Sequence, residues 1–121
     1  MCPGNDESAG KRHSGRTRKG NRWLRTALVE AAHGAAHSKE TYLSAQYHRL
    51  AARRGAKKAT VALGQTLLVI IYHVLSEDTD DYELGGNYFD ERDRQAVQQR
   101  LVRRLEKLGY QVSLTPTPPA A

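Results

Sequence analysis

The feature that most constrains the fold is a nearly unbroken apolar stretch in the middle of the chain, residues 59–74. Its apolar residues fall on every side of a helix, which is typical of a helix surrounded by other helices. Polar or amphipathic residues interrupt it, so it falls short of the roughly 18 to 20 apolar residues that a membrane span needs. These residues are Thr60, Gln65, Thr66, Tyr72 and His73. We therefore expect a buried central helix over residues 56–75 and no membrane partner.

An amphipathic segment over residues 22–37 predicts the first helix. Its apolar residues recur at three- and four-residue spacing, which places them on one face. They are Leu24, Leu28, Ala31 and Ala35. Asn21, which follows Gly20, is a residue type that commonly caps helix N-termini. The many alanines would allow a neighbouring helix to approach closely.

Two further helices are predicted by the same periodicity. Ser38 is expected to cap the second, which Gly55 ends; its buried stripe is Leu43, Tyr47 and Leu50. Asp90 is expected to cap the fourth, which Gly109 ends; its stripe is Val97, Leu101, Leu105 and Leu108. Tyr88 and Phe89 are expected to hold the preceding acidic loop against the helices.

The two ends of the chain lack this periodicity. Residues 1–20 are expected to form an irregular basic arm, residues 110–114 alternate like a short strand, and residues 115–121 form a Pro-rich tail predicted to be disordered. The predicted fold class is therefore mainly α, a small bundle of about four helices within a domain over residues 21–114.

Charge is distributed in blocks along the 121 residues, which carry a net charge of +6. Two basic blocks at residues 1–25 and 39–58 and a third at 94–107 surround an acidic segment at 76–93. This pattern favours a polyanion, most simply nucleic acid, as a partner. The one cysteine, Cys2, excludes an internal disulfide, and a cytoplasmic location is expected.

Phosphate binding is the best supported site prediction. A first cationic cluster leads into a helix N-terminus, where backbone N–H groups and the helix dipole favour an anion; it comprises Lys11, Arg12, Arg16, Arg18, Lys19, Arg22 and Arg25. A second cluster lies at the turn between two helices and comprises Arg53, Arg54, Lys57 and Lys58. Trp23 is expected in the core, with stacking on a base as the alternative.

Ser8 and Ser14 are the candidate nucleophiles, because each stands beside glycine and among cations that could neutralise charge on a phosphate. Ordinary hydroxyls on a surface arm are the alternative interpretation. His33 and His37 have the spacing of two metal ligands on a helix, but no third ligand converges in the sequence, and no metal site is predicted.

Six segments in order resemble the C-terminal, serine-containing domain of the IS one-ten family of insertion-sequence transposases (IS116/IS110/IS902 type). They are CPGNDESAGK (2–11), SGRTRKGNRWLR (14–25), TYLSAQY (41–47), RLAARRGAKKA (49–59), LGGNYFD (84–90) and LEKLGYQV (105–112). The family's Pro-x-x-x-x-Ser-x-Gly pattern is matched by Pro3, Ser8 and Gly10.

The resemblance implies a DNA recombinase in which Ser8 forms a covalent link to a DNA phosphate. It also implies a second catalytic part, a RuvC-like domain whose four acids would bind magnesium, and a structured RNA encoded by the element. Nothing in these residues resembles that domain. We therefore expect a transposase fragment that is inactive unless a full-length transposase supplies the other part; a second copy of this chain is a further possible partner.

Two alternatives remain open without the resemblance. The chain could be a stand-alone helical DNA-binding module that performs no chemistry, or a small RNA-binding protein. The first predicts that Ser8→Ala changes no activity while substitution of Arg53 and Arg54 weakens binding. The second predicts a preference for structured RNA and indifference to insertion-sequence ends. Steep salt dependence is expected in every case.

Overall fold

The computed structural model describes residues 4 and 6–119 and is mainly α, as the sequence predicts. A two-stranded antiparallel sheet, β1 (Asp6–Ser8) and β2 (Lys11–Ser14), precedes the helices. The helices are α1 (Arg22–His37), α2 (Tyr42–Arg54), α3 (Ala56–Glu77), α4 (Tyr88–Arg92) and α5 (Arg94–Lys107). The chain divides into two compact units, Met1–Tyr88 and Phe89–Ala121.

Helix α1 begins and ends where the sequence predicts. The Asn21 side chain accepts hydrogen bonds from the backbone N–H groups of Trp23 (2.9 Å) and Leu24 (3.1 Å), which satisfies two donors of the first turn. The buried face differs from the predicted one: Leu28 is buried, but Ala32 and Ala36 replace Ala31 and Ala35, and Leu24 is exposed. Spacing alone left a one-residue ambiguity among the alanines.

The core of the first unit is small and consists mainly of alanines. Ala32 and Ala36 of α1 meet Leu63 of α3, and partly buried residues of α2 and α3 pack around them. These surrounding residues include Leu43 and Tyr47, two members of the predicted α2 stripe. Because alanine side chains are short, α1 and α3 approach closely and Leu63 fills the space between them.

The start of α2 corrects one prediction. Thr41, not Ser38, caps α2, and its hydroxyl accepts from the Ser44 N–H at 3.2 Å. Ser38 instead ends α1, where its N–H donates to the Ala35 carbonyl at 3.3 Å. The buried Ser44 hydroxyl donates to the Ala36 carbonyl at 3.0 Å, which joins α2 to the last turn of α1.

The acidic segment reaches back to the same helix end. The Glu83 carboxylate accepts from the N–H of Tyr42 at 2.6 Å and from that of Gly85 at 2.9 Å. The Gly86 N–H donates to the Glu40 carbonyl at 3.0 Å, and the rings of Tyr42 and Tyr88 meet edge to face at 5.3 Å. Tyr88 therefore helps to hold the loop, as predicted, and Glu83 places its charge at a helix N-terminus.

Helix α3 is buried over only part of its length. Ala59, Thr60, Leu63 and Gly64 are buried, whereas Tyr72 and Leu75 near its end are 66% and 80% exposed. Among the described residues, α3 alone is long and apolar enough to cross a membrane, with a mean hydropathy of 1.7 over an 18-residue window. Its N-terminal half packs against α1 and α2 as the predicted central helix of the first unit.

Three predictions, about the arm, the start of the last helix and the segment after it, are wrong. Residues 6–14 of the arm form a hairpin instead of an irregular segment, and residues 110–114 have no strand. Asp90 lies inside the short helix α4; Asp93 stands at the N-terminus of α5. A strand over residues 110–114 would need a neighbouring strand to complete its backbone hydrogen bonds. The predictions for Pro3 and for residues 120–121 concern positions outside the described residues.

Candidate nucleic-acid interface and nucleophile

Ser8 lies at the end of β1, directly before a tight turn. The turn residues Ala9 and Gly10 have φ angles of 50° and 73°, and positive values at both central positions are those of a type I′ hairpin turn. A glycine adopts this conformation without strain, whereas an alanine pays about 1 kcal/mol for it. The hairpin thus holds strain next to the candidate nucleophile.

The register of the hairpin places a cation opposite Ser8. Ser8 pairs with Lys11 across the two strands, so their side chains project from the same face at a separation of roughly 5 Å between Cβ atoms. The register shifts further from the turn, which makes His13 the additional residue of a β-bulge. Ser8 is exposed, so an approaching phosphate would meet its hydroxyl and the Lys11 ammonium together.

Hydrogen bonds fix the chain between the hairpin and α1. The Arg16 N–H donates to the Ser14 hydroxyl at 3.2 Å, and the Gly4 N–H donates to the Arg16 carbonyl at 3.0 Å. The Arg12 guanidinium lies so close to Gly15 that a Cβ there would stand 2.8 Å from it. Ser14, the second candidate nucleophile, therefore serves as a turn-stabilising acceptor.

The structure brings members of both predicted cationic clusters together in one groove of about 550 Å³. Its cations come from the segment after the hairpin, from α1 and from the first turn of α3. We call it the basic groove, and its lining residues are Arg16, Thr17, Arg25, Lys57, Lys58, Val61, Ala62 and Gln65. No carboxylate lines it, so four positive charges share one opening.

The N-terminus of α3 adds to this positive potential. Gly55, with a φ of 85°, separates α2 from α3, and no side chain caps the first turn of α3. The backbone N–H groups at this end carry the positive pole of the helix dipole. Lys57 and Lys58 stand in that turn, so their side chains and the dipole favour the same anionic ligand.

A second, smaller hollow of about 260 Å³ adjoins the start of α1. Arg18 and Lys19 line it, and Arg25 lines both this hollow and the basic groove. The remaining predicted cations lie elsewhere. Lys11 and Arg12 belong to β2, Arg22 begins α1, and Arg53 and Arg54 occupy the last turn of α2, where a positive charge interacts favourably with the helix dipole.

Trp23 corrects another expectation. Its side chain is 82% exposed and not in the core, and it lies between Arg22 and Arg25 in sequence, at the start of α1. An exposed indole beside cations is the arrangement that stacks on nucleic-acid bases. Helical periodicity alone could have indicated this, because Trp23 lies off the face defined by Leu28 and Ala32.

Sequence reasoning missed the uncharged part of the groove. Val61, Ala62 and Gln65 follow Lys58 at the spacing of one α3 face, so the signal was present in the helical period. It was hidden because α3 is apolar on nearly all sides, and only the packing of α1 and α2 shows which face stays open.

The histidine pair has a local structural role. His37 Nδ1 lies 2.7 Å from the His33 carbonyl, one turn earlier in α1. Within residues 4 and 6–119, no three His, Cys, Asp or Glu side chains form a group that could hold a metal ion. The described residues thus do not fit the magnesium site that the resemblance assigns to another domain.

Residues 1–49 match a family described as transposase IS116/IS110/IS902. The match confirms the resemblance inferred from the sequence over the hairpin, α1 and the first half of α2, and it includes Ser8, Arg16 and Arg25. Lys57 and Lys58 lie beyond the matched residues. No curated protein and no solved structure matches the chain.

Proposed function

We propose that this chain, which matches the transposase IS116/IS110/IS902 family over residues 1–49, binds DNA through the basic groove and presents Ser8 to a DNA phosphate during strand exchange. The single observation that supports binding is the convergence of Arg16, Arg25, Lys57 and Lys58 on one groove. The family match supports the reaction class.

Electrostatics favours a phosphodiester backbone as the ligand of the groove. Each phosphate that a Lys or Arg neutralises releases counterions, so four contacts would give a slope of about −3.6 in log K against log salt. The apolar floor formed by Val61 and Ala62 suits contact with deoxyribose, which carries little charge. Exposed Trp23 would stack on an accessible base near the same helix start.

The proposed chemistry uses the Ser8 hydroxyl as the nucleophile. Its Oγ attacks a DNA phosphorus atom, a serine O–P bond forms, and the bond from that phosphorus to one DNA oxygen breaks. The released DNA oxygen takes up a proton, and the serine hydroxyl gives its proton to a general base. Lys11, directly opposite Ser8, would stabilise the negative charge that increases on the phosphate oxygens.

The other partners implied by the resemblance belong to the same proposal. Magnesium would be held by the RuvC-like part of a full-length transposase, and a structured RNA would act with the DNA. The chain's own residues would then contribute DNA contacts and the serine. Binding without catalysis, the stand-alone module, is the alternative, because Ser8 does not line the groove.

Binding is tested with the double variant Lys57→Gln/Lys58→Gln. We expect the salt slope for a duplex DNA to flatten by about 1.8, from two lost phosphate contacts. The sole tryptophan, Trp23, reports binding through its fluorescence. The matched control Lys39→Gln/Arg92→Gln removes the same charge outside the groove and should change the slope little. Equal effects of the two pairs would contradict a groove-specific contact.

The chemistry is tested by trapping a covalent protein–DNA adduct on a denaturing gel, in the presence of magnesium, structured RNA and a full-length transposase whose own serine is replaced. We expect an adduct with the natural chain and with Ser14→Ala, and none with Ser8→Ala. Because Ser8→Ala leaves the groove intact, DNA affinity should not change. Absence of any adduct, with DNA binding retained, would favour the binding module.

A further inference from the structure

We propose that α5 carries a second nucleic-acid surface, which contacts the phosphate backbone of a duplex without reading its sequence. A hollow of about 520 Å³ runs along this helix. Its charged lining, which we call the α5 basic face, is Arg100, Arg103, Arg104 and Lys107; Ala96 and Gln99 complete it. This surface lies in the second unit and outside the family match, so it does not rest on the proposed function.

The spacing of these four cations places them on one side of the helix. Positions i, i+3, i+4 and i+7 are neighbours on a helical surface. The helix rises about 10 Å from Arg100 to Lys107, which equals roughly three base-pair steps of about 3.4 Å measured along the axis of a duplex. The face therefore matches the length of a short run of backbone phosphates.

The charges of the α5 basic face are not neutralised by acids of the described residues. Among the described residues, no carboxylate lies within 4.0 Å of any of these four cations, whereas the two arginines nearer the start of the unit each have one. Arg92 lies 3.8 Å from Asp93, and Arg94 lies 4.0 Å from Glu91. Four adjacent unpaired cations repel one another, and an external polyanion would remove that repulsion.

The lining indicates a duplex backbone instead of a single strand. Binding of single strands uses aromatic side chains on which bases stack, and no aromatic residue lines this hollow. The Gln99 amide can donate a hydrogen bond to a phosphate oxygen, but a single amide beside four cations offers little discrimination between bases. The predicted binding is therefore independent of sequence.

A membrane surface is the less favoured ligand. A helix that lies on a membrane buries an apolar face and places cations on both flanks of it. The exposed leucines Leu101, Leu105 and Leu108 form a stripe, but at about 100° per residue the α5 basic face lies to one side of it, centred roughly a third of a turn away. A phosphate backbone can contact that face without the leucines.

The test measures binding of the full chain to a labelled duplex by fluorescence anisotropy. The duplex has roughly 20 base pairs of arbitrary sequence, so that its binding reports contacts that do not depend on sequence. Arg100→Gln/Arg104→Gln is compared with Arg92→Gln/Arg94→Gln, which removes the same charge from the same unit. Circular dichroism establishes that helix content is unchanged. Duplex RNA, a single strand and phosphatidylserine vesicles are the additional probes.

We expect the first pair to flatten the salt slope by about 1.8 and to weaken duplex binding about tenfold or more at low salt, with a much smaller effect of the control pair. Duplex DNA and duplex RNA should be affected alike. Combination with Lys57→Gln/Lys58→Gln should add the two slope changes.

Three results would overturn this inference. The first is unchanged duplex binding by Arg100→Gln/Arg104→Gln. The second is an equal loss of duplex affinity in the control Arg92→Gln/Arg94→Gln. The third is a loss of affinity seen only with the single strand or the vesicles. If instead the basic groove does not bind DNA, Lys57→Gln/Lys58→Gln has no effect while Arg100→Gln/Arg104→Gln weakens binding.

Discussion

The two cationic surfaces of this protein are built in different ways. The basic groove collects residues from three separate parts of the chain, and Arg16 and Lys58 are 42 positions apart in sequence. The α5 basic face comes from a single helix, and its four cations fall within eight consecutive positions. One surface therefore requires tertiary packing, and the other requires only that α5 be helical.

The two surfaces also differ in how many buried residues support them. In the unit that contains the groove, α1 and α3 bury Ala32, Ala36 and Leu63. No residue of α5 is buried, and Leu101 and Leu108 are 53% and 69% exposed. The geometry of the groove should thus respond to changes in the core, whereas that of the α5 basic face should not.

Leu63→Ala is the strongest test of this difference. Leu63 is fully buried, and loss of its side chain should lower the free energy of unfolding of the first unit by about 2–5 kcal/mol. Leu105→Ala in α5, where the leucine is 42% exposed, should cost less than about 1 kcal/mol. Urea unfolding followed by circular dichroism measures both. Equal losses would mean that the contrast between the two units does not hold in solution.

Ser44→Ala should have the next largest effect. Its hydroxyl donates to the Ala36 carbonyl at 3.0 Å, and removal of this buried donor leaves that acceptor without its partner, at about 1–3 kcal/mol. Ser113→Ala, at an exposed position outside regular secondary structure, is the matched substitution in the second unit and should be neutral. Thermal unfolding midpoints compare the two, and a similar shift for both would rule out a specific role for the Ser44 bond.

The smallest expected change in the free energy of unfolding comes from substitutions at the N-termini of α1 and α5. Asn21→Ala removes the two side-chain caps of α1 and should cost about 1 kcal/mol. Asp93, at the N-terminus of α5, makes no capping hydrogen bond, but it lies 3.8 Å from Arg92 at the surface. Asp93→Ala therefore removes an exposed ion pair and no cap, and should cost about 0.5 kcal/mol or less. Urea midpoints are sensitive enough to separate them. A larger loss for Asp93→Ala would show that α5 depends on this residue in a way that its cap geometry does not reveal.

The sequence predicted a helix well where a capping residue and a helical spacing of apolar residues indicated the same boundaries. Asn21 followed by an apolar period marks α1 from start to end, and Gly55 marks the boundary between α2 and α3. The hairpin was missed because Ala9, unlike glycine, is not a typical residue for a turn with positive φ. Trp23 was wrongly expected in the core because tryptophan is often buried; its position off the face of Leu28 and Ala32 was the signal against this expectation.

By itself, the sequence determined the helical class, most helix boundaries, the three basic blocks and the resemblance that residues 1–49 confirm. Each of these depends on residues close together in the chain, through periodicity, capping or a motif. Only the tertiary structure decided that Arg16 and Arg25 share a groove with Lys57 and Lys58, and that Glu83 reaches the N-terminus of α2. The reason is physical: such neighbours are set by which faces the helices bury against one another, and alanine-rich faces allow more than one choice.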